Sequence, residues 1–162
     1  MWRQASPFGD LTVVVSEHGV REISLPGDDQ PDGEIGKPDR AVARELDAWF
    51  GGKRHAFDLE LDLDGIDGFR RVALETLARE VHWGETVTYG ELAKRAGATQ
   101  PQAAQDVGVA MARNPVPLII PCHRVLAAGG KLGGFSAPGS VETKQHMLAL
   151  EGVYIGHQPR LL

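Results

Sequence analysis

Residues 114–125 read Asn114-Pro115-Val116-Pro117-Leu118-Ile119-Ile120-Pro121-Cys122-His123-Arg124-Val125. Pro115 and Pro117 stop any helix arriving from upstream, because proline has no amide hydrogen and disfavours helical geometry in the residue before it. Leu118, Ile119 and Ile120 form a short apolar run suited to burial. The only cysteine of the chain follows, with His123 and Arg124 directly behind it. A cysteine nucleophile acts as its thiolate and needs a base or a positive charge nearby. A lone cysteine is equally at home as a small buried apolar residue. On a strand, neighbouring side chains point to opposite faces. A direct contact between Cys122 and His123 therefore requires a turn or a bridging water.

Working upstream, the patterning predicts a helix from about Thr99 or Gln100 to Arg113, with Pro101 in its first turn. A shorter helix precedes it over Thr88–Ala96, opened by a Thr88/Glu91 capping box and stopped at Gly97. Two short helices joined by Gly97-Ala98-Thr99 make a helix-turn-helix candidate, a geometry shared by DNA readers and ordinary helical packing. Phe69–Val81 reads as a further helix with Val72, Leu74, Leu77, Ala78 and Val81 on its inner face. Before the Gly65–Gly68 boundary the pattern changes. Residues 8–25 alternate as a β-hairpin turning at Gly19, residues 26–38 are loop, and Ala41–Phe50 is an amphipathic helix stopped by Gly51-Gly52. Phe57, Leu59, Leu61 and Leu63 alternate as a strand. Downstream of the cysteine come a glycine-rich loop and a last helix from about Ser140 to Leu150. The chain is thus expected to be α+β, with an N-terminal sheet-and-helix unit over 1–65, a mainly helical unit over 66–152 and a tail over 153–162.

With one cysteine no internal disulfide forms, and no apolar run approaches the ~20 residues of a membrane helix. The N-terminus lacks the apolar core of a signal peptide, so a cytoplasmic, monomeric protein without a membrane partner is expected. No second cysteine or paired histidine has zinc-ligand spacing, so neither metal nor cofactor is expected. The net charge is −5, and it is unevenly spread. Met1–Gly65 carries 7 Lys and Arg against 14 Asp and Glu, whereas Ile66–Gly152 carries 9 against 8. The second half can therefore approach a phosphate backbone.

The segment Asn114–Val125 resembles the signature of the O6-alkylguanine-DNA alkyltransferases. The resemblance extends to Gly84–Ala93, to Gly129–Phe135 and to Leu148–Gly152. It implies a repair protein that takes an alkyl group from O6 of guanine, with O4 of thymine a second target, in double-stranded DNA onto its own cysteine, once. By that resemblance Cys122 is the acceptor and His123 activates it through a water. Glu151 orients His123, Asn114 pins the turn, and Tyr89 donates a proton toward N3 of the flipped guanine. Val125 and Ser136 read the guanine edge through their backbone groups. The product would be a thioether, which offers water no carbonyl to attack, so the protein would be consumed. The target carbon lies inside the base stack and must be flipped out. The resemblance further implies a ribonuclease-H-like first unit and a winged-helix-like second. Its third helix, with small residues such as Ala104, would press into the minor groove. Arg113, Arg124, Phe135 and Lys144 complete the expected substrate- and DNA-binding set.

Departures from the family pattern are informative. Gln105 stands where the family places an arginine that fills the gap left by the flipped base. The loop between Ser136 and Lys144 is two residues longer and contains Pro138. Phe135 replaces a common tyrosine, and Glu75 occupies a common tryptophan position. Three rival readings remain open: an alkyltransferase-like lesion-binding protein with poor transfer, a Cys-His-Glu hydrolase that turns over, and a helix-turn-helix regulator.

Overall fold

The computed structural model describes residues 1–132 and 138–155. Three strands, β1 (Trp2–Gln4), β2 (Leu11–Ser16) and β3 (Gly19–Ser24), form an antiparallel sheet in the order β1-β2-β3. Trp2 faces Val13, and Val13 faces Ile23, so the alternating apolar side chains collect on one face. The hairpin turns at Gly19 as expected. Its φ of 132° lies in the region that favours glycine, and a Cβ there would sit 2.3 Å from the carbonyl oxygen of Glu60. That close approach lets Val20 donate to Glu60 and accept from Asp62.

The expected strand over residues 57–63 reduces to this single parallel bridge between Val20 and Leu61. The edge of β3 is shared: three residues further on, the Ile23 amide donates to the carbonyl of Pro115 at 2.8 Å. Pairing with the 60–62 segment stops because the next stretch of edge is taken. Helix α1 (Arg40–Phe50) is capped by the Asp39 carboxylate and buries Val42, Leu46 and Trp49. Full burial of one such side chain stabilises by roughly 1.5–3 kcal/mol.

Helix α2 (Gly68–Glu80) buries Ala73, Leu74, Thr76 and Leu77. Val72 is 44% exposed and Ala78 also faces outward, so both depart from the expected inner face. The stripe that packs runs through 70, 73, 74 and 77, the i, i+3, i+4, i+7 spacing, and 72 and 78 fall off it. A two-residue strand β4 (Val87–Thr88) leads into α3 (Tyr89–Arg95), where Thr88 and Glu91 form the reciprocal capping box. Helix α4 (Ala103–Ala112) begins three to four residues later than its sequence suggests. Pro101 keeps Gln100 from helical geometry, and a turn closed by the Ala103 amide donating to the Gln100 carbonyl precedes the helix. A last helix, α5 (Val141–Leu150), starts at the Ser140 cap.

One apolar core runs without interruption from Trp2, Leu11 and Trp49 through Leu74 and Met111 to Cys122 and Met147. Mixed α+β architecture is thus present, with a small antiparallel sheet and helices around that core. No helix among the described residues is long and apolar enough to cross a membrane.

Candidate active site around Cys122

The chain leaves α4 at Arg113 and enters a tightly tied segment. Asn114 is buried and uses both ends of its amide: Oδ1 accepts from the Val116 amide at 3.0 Å, and Nδ2 donates to the Ile120 carbonyl at 2.8 Å. Ile120 in turn donates to Val116, and the Cys122 amide donates to Ile120. Leu118 adopts a φ of 77°, which costs a non-glycine residue energy and persists only where surrounding contacts fix it. Asn114 supplies those contacts by spanning the turn.

Cys122, His123 and Arg124 then form one turn of 3₁₀ helix, followed by β5 (Val125–Leu126), which pairs in parallel with β4: Val87 opposite Val125 and Thr88 opposite Leu126. A 3₁₀ turn has three residues per turn, so three successive side chains leave in three directions. That resolves the geometry of these neighbours without a strand. The β4–β5 pair also sets Tyr89, the first residue of α3 and only 6% exposed, next to the strand that follows the cysteine turn.

The His123 and Arg124 side chains converge on Glu151, whose side chain is fully buried. Nε2 of His123 lies 2.8 Å from Oε1 of Glu151. The Arg124 guanidinium donates through Nε to both carboxylate oxygens at 3.1 and 3.0 Å, and through Nη2 to Oε1 at 2.7 Å. Its Nη1 donates to the Val81 carbonyl at 2.8 Å. Burial opposes ionisation of Glu151, but the hydrogen bonds and charges of His123 and Arg124 together outweigh it and hold the carboxyl below its ordinary value. Burial pushes His123 down, against the pull of Glu151, so the imidazole is neutral. An ionised carboxylate only accepts, so the histidine proton sits on Nε2 and the lone pair on Nδ1. Nδ1 is buried and has no hydrogen-bond partner among the described residues. The edge of the ring meets Trp49 at a centroid distance of 6.1 Å.

The Cys122 thiol is 3% exposed, and burial raises its pKa. The nearby Asn114 side-chain amide and the positive charge of Lys144 work in the opposite direction, while the Asp28 carboxylate adds slightly to the rise. Lys144 is itself buried, which lowers its pKa, and its Nζ donates to the Val125 carbonyl at 2.8 Å. At rest, then, the site holds a neutral thiol and a neutral imidazole, with fixed charges ready for the thiolate once the proton has left.

Two members of the expected substrate- and DNA-binding set are engaged inside the protein. Arg124 is 6% exposed and its donors are committed to Glu151 and Val81, so it ties the turn rather than meeting phosphate. Lys144 is spent in the same way on Val125. Val125 donates its amide to Cys122 and keeps one carbonyl lone pair beyond the Lys144 bond. Gln105 and Arg113 are exposed on α4, Ala104 is half-buried, and Val109 is 44% exposed between them. Phe135 and Ser136 lie outside the described residues. Sequence reasoning missed the β4–β5 pair and Trp49 as the wall beside His123. Two-residue strands carry no periodicity, and Trp49 registered only as a core residue.

The fold and the site together set a buried cysteine in a turn whose next two residues pair with a buried glutamate, near two packed helices, α3 and α4. Comparison with known proteins agrees with that arrangement. The family model for the 6-O-methylguanine DNA methyltransferase DNA-binding domain matches residues 69–153. A methylated-DNA–protein-cysteine methyltransferase of Methanosarcina acetivorans is 36% identical over 153 residues, spanning 91% of this chain and 94% of that protein. A protein of the same name from Mycolicibacterium paratuberculosis is 47% identical over 112 residues, 68% of this chain and 63% of its own length. Among solved structures, Mycobacterium tuberculosis OGT in complex with DNA superposes with a TM-score of 0.81 at 35% identity, covering 92% of this chain and 90% of that one. The chain belongs to the O6-methylguanine-DNA methyltransferase family.

Proposed function

We propose that this protein repairs double-stranded DNA by moving an alkyl group from O6 of guanine to Sγ of Cys122, once per molecule. The observation that carries this reading is the buried Cys122–His123–Glu151 arrangement within a chain of this family. The thiol proton passes through a bridging water to Nδ1 of His123, whose imidazolium is then paired with Glu151. The sulfur lone pair attacks the alkyl carbon as the carbon–O6 bond breaks in line. The electron pair of that bond goes to the guanine ring, and the Tyr89 hydroxyl supplies a proton toward N3. Asn114 and Lys144 stabilise the thiolate. Val125, Phe135 and Ser136 are assigned to the pocket for the flipped base, and Ala104, Gln105 and Arg113 to the α4 surface against DNA.

This reading divides the work of the chain. Residues 66–152 meet DNA, and the β4–β5 pair packed beside α3 supports a winged-helix-like description of that unit. Residues 1–65, with a ribonuclease-H-like description, brace it; most of the expected tail over 153–162 lies outside the described residues.

Intact-protein mass spectrometry after incubation with O6-methylguanine duplex tests the proposal. One methyl group per molecule, mapped to Cys122 and absent in Cys122→Ser, is the expected result. Several turnovers per molecule, or a methyl group on another residue, would overturn it and favour a hydrolase. Tight binding of lesion DNA without any transfer would favour a lesion-binding protein.

A further inference from the structure

The loop that follows β3 crosses the molecule to reach the start of α5. Oδ2 of Asp28 accepts a hydrogen bond from the Gly139 amide at 2.8 Å, joining positions 111 residues apart. Gly139 has a φ of 83°, and a Cβ there would meet Leu25 Cδ1 at 2.9 Å, so the backbone at Gly139 lies close against the Leu25 side chain. Asp28 is not free to wander. Its amide donates to Leu25, and Gln30 Nε2 donates to the carbonyls of Leu25 and Asp28 at 3.2 and 2.8 Å. Gln30 Oε1 in turn accepts from Thr12 Oγ1 in β2 at 2.6 Å. A continuous bracket thus runs from the sheet to residue 139.

What it holds is the beginning of α5. Ser140, one residue on, caps that helix by accepting from the Thr143 amide. Lys144 lies on its first full turn and fixes the Val125 carbonyl. Glu151 ends it. An aspartate at a helix start also complements the helix dipole. The bond borders a cleft of about 500 Å³ that Asn114, the residue spanning the turn before Cys122, also lines.

We propose that Asp28 is a positioning residue for alkyl transfer: braced by Thr12 and Gln30, its carboxylate registers the start of α5, and with it Lys144, against the turn that carries Cys122. The inference rests on the alkyl-transfer reading above. It gives the N-terminal unit a task at the reacting atoms that it does not itself contain.

The test compares the full-length protein with Asp28→Asn and Asp28→Ala. The readouts are the second-order transfer rate on O6-methylguanine duplex, the affinity for the same duplex, and exchange protection of the Gly139 amide. Asparagine keeps an acceptor and loses the charge; alanine loses both. Expected are a roughly tenfold slower transfer for Asp28→Ala, a rate within about twofold of the parent for Asp28→Asn, and unchanged DNA affinity in both. The Gly139 amide should be protected in the parent and in Asp28→Asn and exchange freely in Asp28→Ala. Parental transfer by Asp28→Ala, equal slowing in both variants, or free exchange of Gly139 in the parent overturns the proposal. A parent that transfers nothing refutes the alkyl-transfer reading instead, and the amide measurement still decides whether the bracket exists, even where Asp28→Ala fails to fold.

Discussion

Replacing Glu151 by glutamine is the most searching single perturbation of this molecule. The carboxylate accepts from His123 and from two nitrogens of Arg124, and the Glu151 and Arg124 side chains are 0% and 7% exposed. Glutamine keeps the shape and one acceptor. It loses the charge and turns a donor toward a guanidinium that itself only donates. Arg124 is then a buried cation without a counter-ion. Breaking such a pair from one side costs about 3–5 kcal/mol, a large part of the roughly 5–15 kcal/mol that holds a typical domain. For a chain of this length that corresponds to a fall in melting temperature of about 6–20 °C. A second loss is chemical. A glutamine can donate to Nε2 as readily as accept from it, so the proton on Nε2 is no longer enforced and Nδ1 is no longer kept as the base. Losing that assistance slows transfer by roughly 10²–10⁴-fold. Scanning calorimetry and single-turnover transfer at a temperature well below both melting points separate the two effects. A variant that melts within about 1 °C of the parent, or transfers at the parental rate, refutes the reasoning.

Tyr89→Phe keeps the buried ring and removes the proton donor, so transfer should slow by roughly 10²–10⁴-fold with DNA affinity unchanged; parental kinetics would make Tyr89 structural. Gln105→Arg should speed repair in duplex DNA, where flipping costs a few kcal/mol, and leave the reaction with the free base O6-benzylguanine unchanged. Equal changes on both substrates would remove Gln105 from the intercalating position. The pKa of His123 is depressed by burial from 6.5, and that of Glu151 is held below 4.5. In both cases the unfolded chain binds the proton first on acidification. The stability they contribute is present above those ordinary values and lost as pH falls through the folded ones. Melting temperature should therefore decline as pH drops below about 6.5, and His123→Gln should flatten the upper part of that decline; an unchanged pH profile in that variant would contradict a neutral buried His123.

Much of this was legible before any coordinates. The capping box at Thr88 and Glu91, the stop at Gly97, the hairpin at Gly19 and the buried run Leu118–Ile120 are local features, written in residue types whose conformational preferences are strong. Cys122, His123, Glu151 and Asn114 could be singled out because a specific motif names them together. What stayed hidden was competition and long-range pairing. Residues 57–63 have a good strand pattern, yet β3 gives part of the needed edge to Pro115. Arg124 and Lys144 fall in the expected substrate- and DNA-binding set, and only the fold shows each bonded to an acceptor inside the protein. Asp28 sits in a Pro/Gly/Asp-rich loop whose composition gives no hint that one of its acids spans 111 residues to the start of α5.

The single 3₁₀ turn at Cys122–Arg124 sets how this gene can change. His123 and Arg124 both end on Glu151 while Cys122 points elsewhere, and each residue added or removed turns those that follow by a third of a circle. An in-frame codon inserted or lost between Pro121 and Val125 would point histidine where arginine belongs and leave Glu151 facing the wrong group. A point substitution here alters one side chain, whereas a change of length misdirects several at once. The spacing from Asn114 to Val125 should therefore stay fixed through any natural or laboratory variation that keeps the protein working.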